Sequence, residues 1–148
     1  MSLIIAFIVA FFATAAFAVL FNIPKKQWFF CGLTGAIGWV FYTVMEASYD
    51  IIAATFTATL VLTLIARIFS VLRRSPVTLF LVSGIFPLVP GVGIYYTSYY
   101  FILGDLSLAV AKGIETLKIA VAIALGIVFV LSLPQSMFQR SVIKSTKE

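Results

Sequence analysis

The 148-residue sequence is 63% hydrophobic and only 10% charged, with a mean hydropathy of +1.18. A soluble domain carries roughly a quarter of its residues charged, so lipid is the expected solvent for most of this chain. It has no His and one Cys, Cys31, which excludes an internal disulfide, the usual zinc and haem sites and a Cys–His catalytic pair.

A spanning helix needs about 20 apolar residues, so this length allows five or at most six spans and no soluble domain beside them. The first apolar run, 2–23, is closed by Pro24-Lys25-Lys26. Ala16-Phe17-Ala18 has the small-x-small form of a signal-peptide cleavage site, but no Lys or Arg precedes Lys25. The run is therefore expected to be a retained helix. A second run, 27–45, stops at Glu46 and Asp50, and a third, 51–69, is followed by Arg73-Arg74. Ser75-Pro76 reads as an N-cap followed by proline at the first helical position. It opens a fourth segment, 77–103, interrupted near 87–91 by Pro87-Leu88-Val89-Pro90-Gly91. Asp105 is a cap for a fifth helix, 106–133, and a short tail, 134–148, follows Pro134. The expected fold is all-α: one transmembrane domain, 1–148, of five helices with the fourth broken.

With five spans, Lys25, Lys26, Arg67, Arg73, Arg74, Arg140, Lys144 and Lys147 fall on one side and only Lys112 and Lys118 on the other. This positive-inside bias places the N-terminus outside and the C-terminus in the cytoplasm, and it explains the basic balance without nucleic acid.

Two prolines three apart, followed by glycine, remove amide donors and interrupt the hydrogen-bond ladder. Pro87 and Pro90 lie 10 to 13 positions beyond Val77, roughly 15–20 Å along a helix and so near the midplane. Unwound backbone at that depth persists only against protein or a water-filled cavity. The half-helix beginning at Gly91-Val92-Gly93 would offer free amides to a carboxylate. A proline kink that only shapes packing is the bland alternative.

Tyr95, Ser98, Tyr99 and Ile102 share a helical face that can line a polar path, or the tyrosines form the outer interfacial belt. Thr55, Thr59 and Thr63 recur every four residues and offer hydroxyls either to a substrate or, as is commoner, to their own helix or a neighbour. Gly32, Gly35 and Gly38 suit close helix contact. Arg67, one turn inside its helix end, is placed to snorkel to the headgroups. Glu115 and Lys118 form either an i,i+3 surface pair or an ionisable site for protons or substrate.

The segment from Ser83 to Tyr96, with Pro87-Leu88-Val89-Pro90-Gly91 at its centre, resembles the signature of the threonine/serine exporter family. So do Lys112-Gly113-Ile114-Glu115-Thr116-Leu117-Lys118, Phe21-Asn22-Ile23-Pro24 and Gly32 to Gly38. The resemblance covers nearly the whole chain and is closest to the small subunit of two-component exporters. It implies a multi-pass protein of the bacterial inner membrane that works with a larger membrane subunit. Together they would export threonine, serine or related small carboxylates from the cytoplasm, driven by the membrane potential or a proton gradient. In that reading Pro87, Pro90, Gly91, Gly93, Tyr95, Ser98, Thr55 and Thr59 border the substrate path, and Glu115 and Lys118 are the ionisable candidates. The alternative is an assembly subunit that lines nothing. Neither reading calls for a cofactor or a metal. An intramembrane enzyme fits poorly, since no paired carboxylates lie at membrane depth.

Overall fold

The computed structural model describes residues 2–134, so Arg140, Lys144, Lys147 and most of the tail lie outside the described residues. The elements are helices α1 (Leu3–Leu20), α2 (Trp28–Glu46), α3 (Ile51–Arg73), α4 (Val77–Ile85), α5 (Gly91–Ile102) and α6 (Leu106–Ser132). Short 3-10 turns at Lys25–Gln27 and Phe86–Leu88 precede α2 and follow α4. Leu3–Leu20, Lys25–Glu46, Ile51–Arg73 and Leu106–Ser132 are each long and apolar enough to cross a membrane. A fifth span is added if Val77–Leu88 and Gly91–Ile102, bent by 52°, count as one.

Local chemistry fixes the helix ends. Asp50 accepts from the Ile52 amide at 3.3 Å and Asp105 from the Leu108 amide at 3.0 Å, capping α3 and α6. Gly104 takes the left-handed conformation at φ +80 after α5, where a side chain would be strained. At α4 the structure departs from the expected cap. Pro76 itself is the cap residue and makes no side-chain bond. The Ser75 hydroxyl instead accepts from Gln27 Nε2 at 2.9 Å and donates to the Arg73 carbonyl.

Packing uses small residues, which let backbones approach closely. The buried face of α1 is Ala6, Ala10, Thr14 and Ala18, and it meets α2 where a Cβ on Gly35 would strike Thr14. Gly38 faces Leu62 of α3, and Gly126 of α6 faces Thr59. The core adds larger groups around Leu62, Phe80 and Leu88.

These contacts also set helix directions. Gly38 lies against Leu62 and Phe30 against Phe69, so α2 and α3 are antiparallel. Cys31 donates to the Leu79 carbonyl and Thr34 abuts Gly84, so α2 and α4 run parallel. The Thr59–Gly126 contact and the bonds from Arg67 to Val130 and Leu133 make α3 and α6 parallel. The chain therefore starts α4 at the end where α3 finishes and starts α6 at the opposite end.

Arg67 lies differently from its expected place. It is buried, at 7% exposure, and donates through Nη1 to the carbonyls of Val130 at 2.7 Å and Leu133 at 2.8 Å. The carbonyls at the end of α6 carry partial negative charge, and the Val130 carbonyl accepts from the Leu133 amide as well as from Arg67. A nearby guanidinium is held inward by them rather than released to the headgroups.

Candidate functional site

The break between α4 and α5 opens a pocket of about 460 Å³, within the roughly 300–1,000 Å³ typical of small-molecule sites. One wall is the continuous stretch Pro87 to Gly93; the others are Trp39 and Tyr42 of α2, Ile51 of α3, Tyr96 of α5 and Lys112, Glu115, Thr116 and Ile119 of α6.

The break follows from the sequence of donors and their loss. Phe86–Leu88 tightens into a 3-10 turn, and Pro90, which has no amide hydrogen, stands at the cap of α5. The Gly91 amide turns back to Val89 at 2.8 Å and the Ile94 amide reaches Pro90 at 3.1 Å. Between them, the Val92 and Gly93 amides are taken by no backbone carbonyl among the described residues, and no side chain caps the helix. These first-turn donors, on the pocket wall, give it a partial positive charge.

Gly93 seats α5 on α6. A Cβ there would collide with the Thr116 hydroxyl and lie 3.2 Å from Thr116 Cβ, while one on Gly113 would lie 3.3 Å from Thr97 Cγ2. Thr116 and Thr97 spend their hydroxyls on their own helices, donating to the Lys112 and Gly93 carbonyls at 2.7 Å each. The polar groups left to the pocket are sparse. Tyr42 donates to Glu46 Oε1 at 2.9 Å. Lys112 Nζ and Glu115 Oε2 form an ion pair at 2.8 Å, each side chain 46% exposed. Lys112 and Glu115 are the charged residues of the pocket wall.

The sequence candidates thus divide. Pro87, Pro90, Gly91, Gly93 and Glu115 come together on the pocket wall. Tyr95 and Ser98 lie on the exposed side of α5, with Tyr95 stacked on Tyr99 and Ser98 donating to Ile94. Thr55 and Thr59 are buried and donate to Ile51 and Thr55 at 2.7 Å, so their hydroxyls serve α3 itself. Glu115 pairs with Lys112 rather than Lys118, which is exposed. Trp39, Tyr42, Tyr96, Lys112 and Thr116 were not evident from the sequence. The recurrence of Gly93, Thr97, Gly113 and Thr116 on either side of the Gly104 turn was the available signal for the hairpin that assembles them.

These features define a multi-pass helical membrane protein with a pocket at a broken helix. The chain belongs to the threonine/serine exporter family: the family model described as threonine/serine exporter, ThrE, matches residues 6–133. No curated protein and no solved structure matches it. The family is one of amino-acid export across membranes, which assigns the chain to membrane transport.

Proposed function

We propose that this chain is the small membrane subunit of a two-component secondary exporter of threonine, serine or related small carboxylates. The observation that carries the proposal is the pocket at the α4–α5 break, where the Val92 and Gly93 amides stand unclaimed. A carboxylate entering there meets a helix N-terminus of the kind that holds anionic groups in transporters with discontinuous helices. The bent pair α4–α5 acts as one crossing in this reading. It takes the chain from the end of α3 to the start of α6, which run parallel. The membrane is the bacterial inner membrane, with Lys25, Lys26, Arg73 and Arg74 on the cytoplasmic side.

The larger partner subunit is what the family resemblance implies, and the α5–α6 hairpin that borders the pocket offers it an apolar face otherwise covered by lipid. No residue of α5 is buried, and Val92, Ile94, Phe101, Ile102, Leu106, Val110, Ile114 and Leu117 are all exposed. The same apolar hairpin favours the second reading, an assembly subunit that lines no path. One position separates the two. Gly91 lines the pocket and a Cβ there would meet nothing within 4 Å, so a large side chain can be added at the pocket wall without a clash at its first atom. Gly91→Trp should abolish threonine and serine efflux from cells producing both subunits, while Gly91→Ala and recovery of the complex by pull-down stay normal. Undiminished efflux with Gly91→Trp would leave the scaffold reading standing.

A further inference from the structure

We propose that the Lys112–Glu115 ion pair reads the two charges of a zwitterionic substrate by exchange: the substrate carboxylate takes Lys112 and its ammonium takes Glu115. The inference rests on the pocket being the substrate path, adds to it the residues that set charge selectivity, and narrows the substrate class from small carboxylates to amino acids.

The pocket wall is largely apolar, and its charged side chains are one cation and one anion, already joined at 2.8 Å. With the pair closed, the side chains of the empty pocket carry no net charge. A half-exposed pair of this kind contributes little to folding, and ionisable groups on the wall of a cavity in a membrane protein point to a functional use. Its order is also unhelpful to the helix, because Lys precedes Glu, against the favoured direction for such pairs. Thr116, beside the pair, is already committed to the Lys112 carbonyl and pressed against Gly93. It therefore positions the wall and leaves the charges free to change partners.

Charge counting then gives selectivity. A zwitterion that opens the pair replaces one cation–anion contact with two, and every charge ends up partnered. A simple carboxylate that takes Lys112 strands Glu115, and a simple amine that takes Glu115 strands Lys112. In the proposed two-subunit assembly, where the partner closes the cavity from water, stranding a charge is costly, so the pair rejects both half-ligands. This is selection by an added penalty rather than by an added attraction. The unclaimed Val92 and Gly93 amides add to the carboxylate side of the same cavity.

The test uses membrane vesicles from cells producing the full chain with its partner subunit, and saturable transport of labelled serine. Glycerate, which keeps the carboxylate and hydroxyls, and ethanolamine, which keeps the amine, are the competitors. Glu115→Gln and Lys112→Gln should each raise the KM for serine at least about tenfold, the value of one charge-assisted contact. Glycerate should inhibit Glu115→Gln at lower concentration than wild type, because no carboxylate is left to strand. Ethanolamine should do the same for Lys112→Gln. An unchanged serine KM in both variants, or equal shifts for all three solutes, would overturn the exchange. Failure of the pocket itself reads differently: Gly91→Trp would transport serine normally, and the pair proposal would fall with it. If Gly91→Trp blocks transport while the pair variants keep wild-type selectivity, only the exchange is lost.

Discussion

Thr14 presents a buried hydroxyl with no hydrogen-bond partner among the described residues, and it occupies the space a side chain on Gly35 would need. A β-branched residue in a helix has one strongly preferred rotamer or two, so Thr14 cannot swing aside cheaply. Gly35→Ala should therefore destabilise the purified protein by about 1–3 kcal/mol, the usual cost of overpacking. Adding Thr14→Ala should recover most of that, since the hydroxyl removed leaves no partner stranded. Thermal unfolding in detergent of the two single variants and the double variant checks the coupling; independent, additive losses would mean the two residues do not press on each other. Arg67 is the opposite case, a side chain held by bonds rather than by space. Removing its two charge-assisted bonds to the end of α6 with Arg67→Ala should cost about 2–4 kcal/mol. Arg67→Lys, with one point charge instead of a fork, should retain only part of the stability. A melting temperature unchanged in Arg67→Ala would show that the cap contributes nothing.

At the scale of the elements, what could be read in advance was what depends on near neighbours. Asp50 and Asp105 cap helices through amides two and three residues away, and Pro87 and Pro90 act through donors they themselves lack. Arg67 could not be placed this way, because its acceptors lie 63 and 66 residues along the chain. Nor could the partner of Glu115, since Lys112 and Lys118 both stand three residues from it. The packing of α5 on α6 puts Lys112 on the pocket wall with Tyr96 and leaves Lys118 facing outward. The threonines of α3 carried the same period for a substrate path as for back-bonding to their own helix. In the structure all three are buried, a long-range arrangement that the period alone does not fix, and their hydroxyls donate to carbonyls of α3. The hairpin itself is testable as an element. Gly93→Val should drive α5 away from Thr116 and weaken transport more than stability, because no residue of α5 is buried. Thr116→Ala should partly rescue it in the efflux assay. Failure of rescue would argue that the glycine matters for another reason.

For the whole molecule, the helix directions decide more than the span count does. Since α3 and α6 run the same way, an odd number of crossings must separate their ends, and α4–α5 is the segment available to make it. A re-entrant loop would return the chain to the end where α3 finishes, and α6 would then run antiparallel to α3. Its last carbonyls could not meet Arg67, as they do at 2.7 and 2.8 Å. If α4–α5 crosses as one span, the start of α1 and the end of α6 stand on opposite sides, and a second half of the same design would insert inverted, the arrangement that places a transport site between repeats. Labelling can test this with little background, because the lone cysteine, Cys31, is fully buried. In a Cys31→Ser chain, single cysteines at Ser48, in the α2–α3 turn, and at Leu103, in the α5–α6 turn, should both react with an impermeant maleimide on intact cells. With Lys25, Lys26, Arg73 and Arg74 proposed on the cytoplasmic side, a cysteine at Lys26 is expected to react only after permeabilisation. Leu103→Cys is the informative position: it labels with Ser48→Cys if α4–α5 crosses the membrane, and with Lys26→Cys if the segment turns back. The second outcome would remove the inverted-half argument and, with it, the reason for placing the carboxylate pocket between two subunits.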